Sequence, residues 1–193
     1  MSPASSIDLT NQFLIAMPGM LDDNFAGSVV YMCEHTERGA LGLVINKPID
    51  IKLKNLFEKV ELPLDRVEFA EQPVYFGGPV QTERGFVLHE KASDAGPAYN
   101  STMSVPGGLE MTTSKDVLEA LSNGAGPKRM LVTLGCSGWS PGQLEDELAR
   151  NGWLTVDADP AIIFDTPIDE RYARALGLLG IDPRMLSADV GHA

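Results

Sequence analysis

Short apolar runs separated by turn residues make up most of the chain, and they predict more strands than helices. The first two strand candidates are NQFLIAMPG (residues 11–19), which ends in a proline and a glycine, and GSVVYMCEH (residues 27–35). The second is apolar at consecutive positions, so we expect both of its faces to be buried in a central strand. The tetrapeptide TERG (residues 36–39) follows it and predicts a hairpin to ALGLVIN (residues 40–46).

The same tetrapeptide occurs again at residues 82–85, between VYFGGPVQ and FVLHE, and predicts a second hairpin of the same kind. Gly39 and Gly85 are then both available for a left-handed turn position. Further strand candidates follow along the chain: MSVPGGLEMT (103–112), broken at Pro106–Gly108, RMLVTLG (129–135), WLTV (153–156) and AIIF (161–164). Because predicted helices lie between the later ones, an α/β arrangement should be joined to the hairpins.

Helical spacing is clearest in DIKLKNLFEKVEL (residues 50–62), where Leu53, Leu56, Phe57 and Val60 form one apolar stripe that we assign to the core. Three other helix starts show a hydroxyl followed three residues later by Asp or Gln, the capping-box pattern. These pairs are Thr113–Asp116, Ser140–Gln143 and Thr166–Asp169. Pro141 and Pro167 should occupy first helical positions, and the dipeptides Asn123–Gly124 and Asn151–Gly152 should end helices in left-handed conformations.

Composition narrows the class of protein. With 193 residues and 44% apolar content, the chain can bury the core of one domain covering residues 1–193, with a disordered tail at 187–193. The net charge of −12 and the lack of a basic cluster argue against direct binding of nucleic acid or anionic membrane. The first 20 residues lack a basic leader and a long apolar stretch, so we expect a cytoplasmic protein with no membrane association.

Two cysteines and two histidines are candidates for chemistry. Cys33 and Cys136 lie among apolar residues and are expected to be free thiols. On a regular strand Cys33 and His35 would share a face with their Cβ atoms about 6–7 Å apart, too far for direct proton transfer. A Cys33 thiolate would therefore need His89 or another group, and the alternative is a buried thiol beside a hydrogen-bonded histidine. Neither a zinc-type spacing nor a nucleotide loop is present, so no metal or cofactor is expected.

The densest motif is LGCSGWSPGQLEDEL (residues 134–148). A sharp strand-to-helix turn accounts for its glycines and for Gln143. Trp139 either fills the core beneath the helix or forms the wall of a pocket, and the helix start could also attract an anion. The motif argues against Ser137 as a hydrolase nucleophile, because Trp139 stands where the GxSxG motif needs glycine.

YFGGPV (residues 75–80) leaves two alternatives open. It could be an aromatic ligand turn, or Gly77 and Gly78 could permit a close backbone approach, with Pro79 ending the strand pairing.

Four segments in this order resemble the YqgE/AlgH family of bacterial proteins: EHTERGALGLVINKP, VYFGGPVQTERGFVLHE, TTSKDVLEA and GWSPGQLEDELARNGWL. The resemblance covers about residues 9–182. It implies an α+β fold, a single compact domain with a mixed, partly barrel-like β-sheet flanked by helices. Members of this family are described as candidate transcriptional regulators, without an agreed reaction or cofactor. Many carry Tyr-Ala or His-Ala where this chain has Cys136–Ser137, which argues against catalysis at position 136.

We therefore expect a non-enzymatic regulatory or binding protein that acts on transcription indirectly through a protein partner or small-molecule ligand. The alternative is a thiol-dependent enzyme or redox switch that uses Cys33 with His35 or His89. No catalytic residue is assigned. The candidate ligand-binding residues, all at motif positions of the resemblance, are Cys33, His35, Asn46, Gly77, Gly78, His89, Gly138, Trp139 and Gln143.

Overall fold

A computed structural model describes residues 7–91 and 99–182 of the chain. The strands are β1 (Gln12–Ala16), β2 (Val29–Thr36), β3 (Gly39–Val44), β4 (Pro48–Lys52), β5 (Pro73–Phe76), β6 (Val80–Glu90), β7 (Thr102–Val105), β8 (Leu109–Thr112), β9 (Met130–Trp139) and β10 (Trp153–Asp157). The helices are α1 (Leu53–Lys59), α2 (Val67–Ala70), α3 (Asp116–Ser122), α4 (Gln143–Ala149), α5 (Pro160–Phe164) and α6 (Arg171–Gly177), with a 3-10 turn at Ile168–Glu170. The predicted tail at 187–193 lies outside the described residues.

One curled sheet organises the fold, with strand order β10-β1-β2-β3-β9-β6-β8-β7. Strand β9 is its hub: it pairs antiparallel with β3 and β6 and parallel with β5, which in turn pairs with β4. The sheet forms a half-barrel and the six helices pack around it in one compact domain. The expected α+β class with a mixed, partly barrel-like sheet is confirmed.

Burial on both faces of the sheet follows from the strand sequences. On β1, Phe13 and Ile15 enter one apolar cluster, whereas Leu14 and Ala16 enter a second on the other face. Strand β2 lies between β1 and β3 and is buried at its first five positions, so the predicted central strand is confirmed. A third cluster holds Leu53 and Phe57, the buried part of the predicted α1 stripe.

The second predicted TERG hairpin is wrong. Residues 82–85 lie inside the continuous strand β6, with a register shift between Val80 and Gly85. Because β5 runs parallel to β9 and β6 runs antiparallel to it, the chain reverses at residues 77–79 instead. Gly39, by contrast, takes a left-handed φ of 131° in the predicted β2–β3 hairpin, which is confirmed.

The predicted strand AIIF is also wrong, because these residues form helix α5. Asp159 caps the helix by accepting a hydrogen bond from the Ala161 N–H at 3.0 Å, and Pro160 occupies its first turn. These start signals outweigh the strand preference of Ile162 and Ile163.

The helix-end predictions are partly confirmed. Gly124 and Asn151 are left-handed, at φ 79° and 61°, and each lies two residues beyond the end of its helix, α3 or α4. The helix starts are displaced, however: α4 begins at Gln143, so Pro141 lies in the turn before it. The Thr166 hydroxyl donates to the Ala161 carbonyl at 3.0 Å, closing α5 rather than opening the next helix.

The predicted strand 103–112 becomes the two strands of a β7–β8 hairpin, with the predicted break at Pro106–Gly108 as its turn. Within residues 7–91 and 99–182, no helix is long and apolar enough to cross a membrane.

Candidate functional site: an aromatic cleft beside helix α4

A cleft of about 250 Å³ opens between the end of β9, helix α4, the start of β10 and the segment that leads into β2. We call it the aromatic cleft. Its principal lining residues are Met20, Phe25, Trp139, Gln143, Glu147 and Trp153. This volume is slightly below the range of about 300–1,000 Å³ that is typical of small-molecule sites.

Local sequence positions α4 over the sheet. Gly142, left-handed at φ 79°, turns the chain from β9 into the helix, and the Gln143 side-chain oxygen accepts the Ser140 backbone N–H at 3.0 Å. Leu144 is fully buried beneath the helix, in the second apolar cluster. The exposed side of α4 therefore faces the cleft with Gln143 and Glu147, one turn apart.

Three aromatic rings form the apolar wall. Phe25 stacks on Trp139 with centroids 5.9 Å apart and meets Trp153 edge-on at 5.5 Å. The two indoles contact each other edge-on at 6.1 Å. Trp139 and Trp153 are only 5% and 4% exposed, so both predicted alternatives for Trp139 hold: it fills the core and also walls a pocket.

Glu147 fixes the orientation of both indoles. Its Oε1 accepts the N–H of Trp139 at 3.0 Å and that of Trp153 at 2.9 Å, while its Oε2 accepts the Gln143 side-chain N–H at 3.0 Å. Both carboxylate oxygens are thus occupied by hydrogen-bond donors. The arrangement holds a rigid apolar surface in place.

Charged groups lie at the rim. Asp22 and Arg150 line the cleft, and the Arg150 guanidinium pairs with Asp146 at 3.3 Å. A ligand with an apolar part and a polar end would match an aromatic floor with such a rim.

His35 supports α4 from behind. Its Nδ1 accepts the Leu9 backbone N–H at 3.1 Å, and its Nε2 lies 3.3 Å from Glu145. Glu145 is two residues from both Gln143 and Glu147, so it points away from the cleft. The histidine is 5% exposed and connects β2 to the helix without lining the cleft.

Three other candidate residues have structural contacts. Asn46 accepts the Val29 N–H at 2.9 Å and donates to the Gly27 carbonyl at 3.0 Å. Gly77 and Gly78 pass so close to β9 that a Cβ on either would overlap its backbone, as the close-approach interpretation predicts. None of the three lines the aromatic cleft, whereas Gly138, Trp139 and Gln143 do.

The expectation that Cys33 and His35 share a strand face is wrong. The β2–β3 register passes from Met32 opposite Gly42 directly to Glu34 opposite Leu41, so Cys33 is the extra residue of a β-bulge. Cys33 consequently packs in the first apolar cluster, while His35 reaches Leu9, a member of the second. Burial raises the pKa of the Cys33 thiol far above its usual range, and nearby Cys136 and Glu34 raise it further.

His89 is fully buried, and both of its ring nitrogens have hydrogen-bond partners. Its Nδ1 lies 2.8 Å from the Glu90 carbonyl and its Nε2 lies 2.8 Å from the Thr112 hydroxyl. Burial lowers its pKa, because the charged imidazolium is disfavoured there. Both ring nitrogens of His35 and both of His89 are therefore within hydrogen-bonding distance of groups other than the Cys33 thiol. The described part of the chain also contains no cluster of three metal-binding side chains.

Sequence analysis missed Phe25, Glu147 and Trp153. A usable signal existed for Glu147, which lies four residues after Gln143 on a predicted helix and so shares its face. No local pattern shows that indoles from β9 and β10 reach the same carboxylate, since that contact depends on how α4 packs.

The half-barrel sheet and the cleft beside helix α4 place the protein among α+β proteins with a half-barrel sheet. The AlgH-like family model matches residues 13–184, and the chain belongs to that family.

Curated relatives cover almost the whole chain. A UPF0301 protein of Ralstonia pickettii is 68% identical over 192 residues, covering 100% of this chain and 99% of its own. A UPF0301 protein of Burkholderia cenocepacia is 65% identical over 191 residues, covering 99% and 98%. The solution structure of the AlgH protein from Pseudomonas aeruginosa is similar with a TM-score of 0.77 and 46% identity, covering 97% of both chains. A Corynebacterium diphtheriae protein shares the fold, with a TM-score of 0.69 at 21% identity over 88% of this chain and 86% of that one.

Proposed function

We propose that this protein is a non-enzymatic binding protein whose aromatic cleft takes a small ligand or an apolar side chain of a protein partner. The observation that carries the proposal is the shared Glu147 acceptor, which orients Trp139 and Trp153 before any ligand arrives. A preorganised apolar surface loses little conformational entropy on binding, so even a small cleft can bind usefully.

The proposal includes a regulatory role exercised indirectly, from the cytoplasm. The net charge of −12 favours contact with a protein or small molecule over contact with the phosphate backbone of DNA. Free, buried thiols are compatible with a reducing compartment. The same burial and the bonded histidines give no support to a thiol-dependent enzyme.

Native mass spectrometry of the protein purified gently from its own host tests the proposal. We expect a reproducible added mass, from a small molecule or a second protein, on the wild-type chain. Phe25→Ala removes one ring of the cleft and should lose that mass. Glu83→Gln, an exposed change on β6 outside the cleft, should keep it.

Two results would contradict the proposal. One is a bare wild-type mass, and the other is an added mass retained equally by Phe25→Ala. A covalent adduct located on Cys33 would instead support the thiol-dependent alternative.

A further inference from the structure

A second cavity, of about 310 Å³, lies where β5 and the start of β9 meet helices α5 and α6. Its polar lining comes from Gln72, Tyr75, Thr166 and Arg171, and its walls are apolar side chains that include Met130 and Ile163. None of these residues belongs to the aromatic cleft, so the cavity is a separate candidate site.

Arg171 is the unusual residue of this cavity. Only 5% of its surface is exposed, yet no carboxylate within residues 7–91 and 99–182 forms an ion pair with it. Its Nε donates to the Thr166 carbonyl at 2.9 Å and its Nη1 donates to the Ile45 carbonyl at 2.5 Å. Its guanidinium carbon lies 5.2 Å from the centre of the Tyr75 ring.

These contacts stabilise the guanidinium only in part. An arginine keeps its charge in proteins, and a buried charge without a counter-ion is costly. Carbonyl dipoles and the Tyr75 ring face offset some of that cost. The two carbonyls and the Tyr75 hydroxyl, which also hydrogen-bonds to the guanidinium, engage only part of its five N–H donors, so N–H donors remain available on a cation that lines the cavity.

Arg129, a second arginine near this cavity, has carboxylate partners. It pairs with Glu90 and Asp165, and its guanidinium lies 5.7 Å from the ring of Phe164, which also lines the cavity. The two arginines therefore differ in their partners. Carboxylates of the protein neutralise the charge of Arg129, whereas the guanidinium of Arg171 contacts backbone carbonyls and the Tyr75 ring and lines a cavity.

We propose that this cavity binds the carboxylate of a small organic acid, with Arg171 as the anion-binding group. The guanidinium supplies charge-assisted N–H donors. The Tyr75 hydroxyl, beside the guanidinium, adds a further polar group, and Met130 and Ile163 contact the apolar body of the acid. Apolar walls favour an organic acid over a free, strongly hydrated inorganic anion.

Calorimetric titration of the full chain tests this site with three acids: benzoate, hexanoate and 4-phenylbutyrate, each compared with its alcohol of matched carbon skeleton. We expect at least one acid to bind about tenfold or more tightly than its alcohol, because only the acid pairs with the guanidinium. Arg171→Gln should abolish that preference. Arg129→Gln, which removes a paired arginine nearby, should retain it, and so should Phe25→Ala in the aromatic cleft.

The proposal is overturned if no acid binds, if each acid and its alcohol bind equally, or if Arg171→Gln leaves the preference unchanged. Since Arg171→Gln also removes two hydrogen bonds and could unfold the chain, a second measurement uses the wild-type protein. The arginine Nε–H signals in a ¹⁵N NMR spectrum should include one that shifts with the acid and not with the alcohol. No such shift contradicts the site independently of any variant.

Discussion

Trp139 and Trp153, at the end of β9 and the start of β10, donate their indole N–H groups to the same oxygen of Glu147, at 3.0 and 2.9 Å. A buried indole needs an acceptor for its N–H, and here one side chain on α4 serves both. The bond pair therefore ties the helix to two strands that are not neighbours in the sheet. It also fixes the wall of the aromatic cleft.

Removing this acceptor should destabilise the fold. Glu147→Ala leaves two largely buried N–H donors unpaired, and we expect it to lower the free energy of unfolding by about 2–4 kcal/mol. Asp146→Ala is the matched control: it removes an acid from the neighbouring position, whose ion pair with Arg150 is exposed, and should cost less than about 0.5 kcal/mol. Urea denaturation followed by circular dichroism measures both, and equal losses would contradict the shared-acceptor account.

The close approach of the β5–β6 connection to β9 predicts different effects for two glycines. Gly78 has φ 149° and its added Cβ would overlap the Cys136 carbonyl, so we expect Gly78→Ala to cost about 2–4 kcal/mol. Gly85 lies inside β6 with open space at its Cβ position, and Gly85→Ala should be tolerated. Thermal unfolding of the two variants compares them, and a stable Gly78→Ala protein would show that the approach is looser than described.

Both cysteines should be inert in the folded protein. Burial is the main cause that raises the pKa of the Cys33 and Cys136 thiols, and a thiol rather than a thiolate reacts slowly. We expect a colorimetric disulfide reagent at pH 8 to modify them only after urea unfolds the chain. Rapid reaction of one thiol in the native protein would instead revive the thiol-dependent hypothesis, and a Cys33→Ser variant would identify which thiol reacts.

His89 makes stability depend on pH. Burial lowers its pKa in the folded chain, opposed by the Glu90 carbonyl and by Glu110. As the pH falls, the unfolded chain therefore takes up this proton at a higher pH than the folded chain does. The contribution of neutral His89 to the free energy of unfolding is fully present above about pH 6.5 and is lost as the pH falls below that value.

His89→Gln removes the titrating group and keeps an amide that can bond to the Thr112 hydroxyl. We expect the variant to lose less stability than the wild type between pH 7 and pH 5, measured by urea titration at both values. An identical pH dependence in the two proteins would show that protonation of His89 is not coupled to unfolding.

Local signals predicted much of the fold. Consecutive apolar residues in β2 indicated a central strand, and Gly39 and Gly124 were predicted at turns or helix ends that the structure contains. Two predictions failed because a competing signal was stronger. The Asp159 cap favours a helix at AIIF over the predicted strand. The glycines Gly77 and Gly78, which pass close to β9, place the chain reversal before the second TERG.

The candidate sites were harder to predict, because they depend on contacts between distant segments. Trp139 and Gln143 were predicted as candidate ligand-binding residues, whereas their acceptor Glu147 and the neighbouring Phe25 were not. A single-residue bulge at Cys33 separated it from His35, and no sequence pattern indicates such an insertion. Arg171 looked ordinary in the sequence and is distinctive only because it is buried beside a cavity.

The central claim is that the aromatic cleft is a binding site, and fluorine NMR tests it most directly. The chain contains two tryptophans and both form the cleft, so 5-fluorotryptophan labelling places its only probes there. We predict that both fluorine signals change position when the purified protein is returned to an extract of its host, and that albumin at the same protein concentration leaves them in place. Signals that stay unchanged in the extract would contradict the claim.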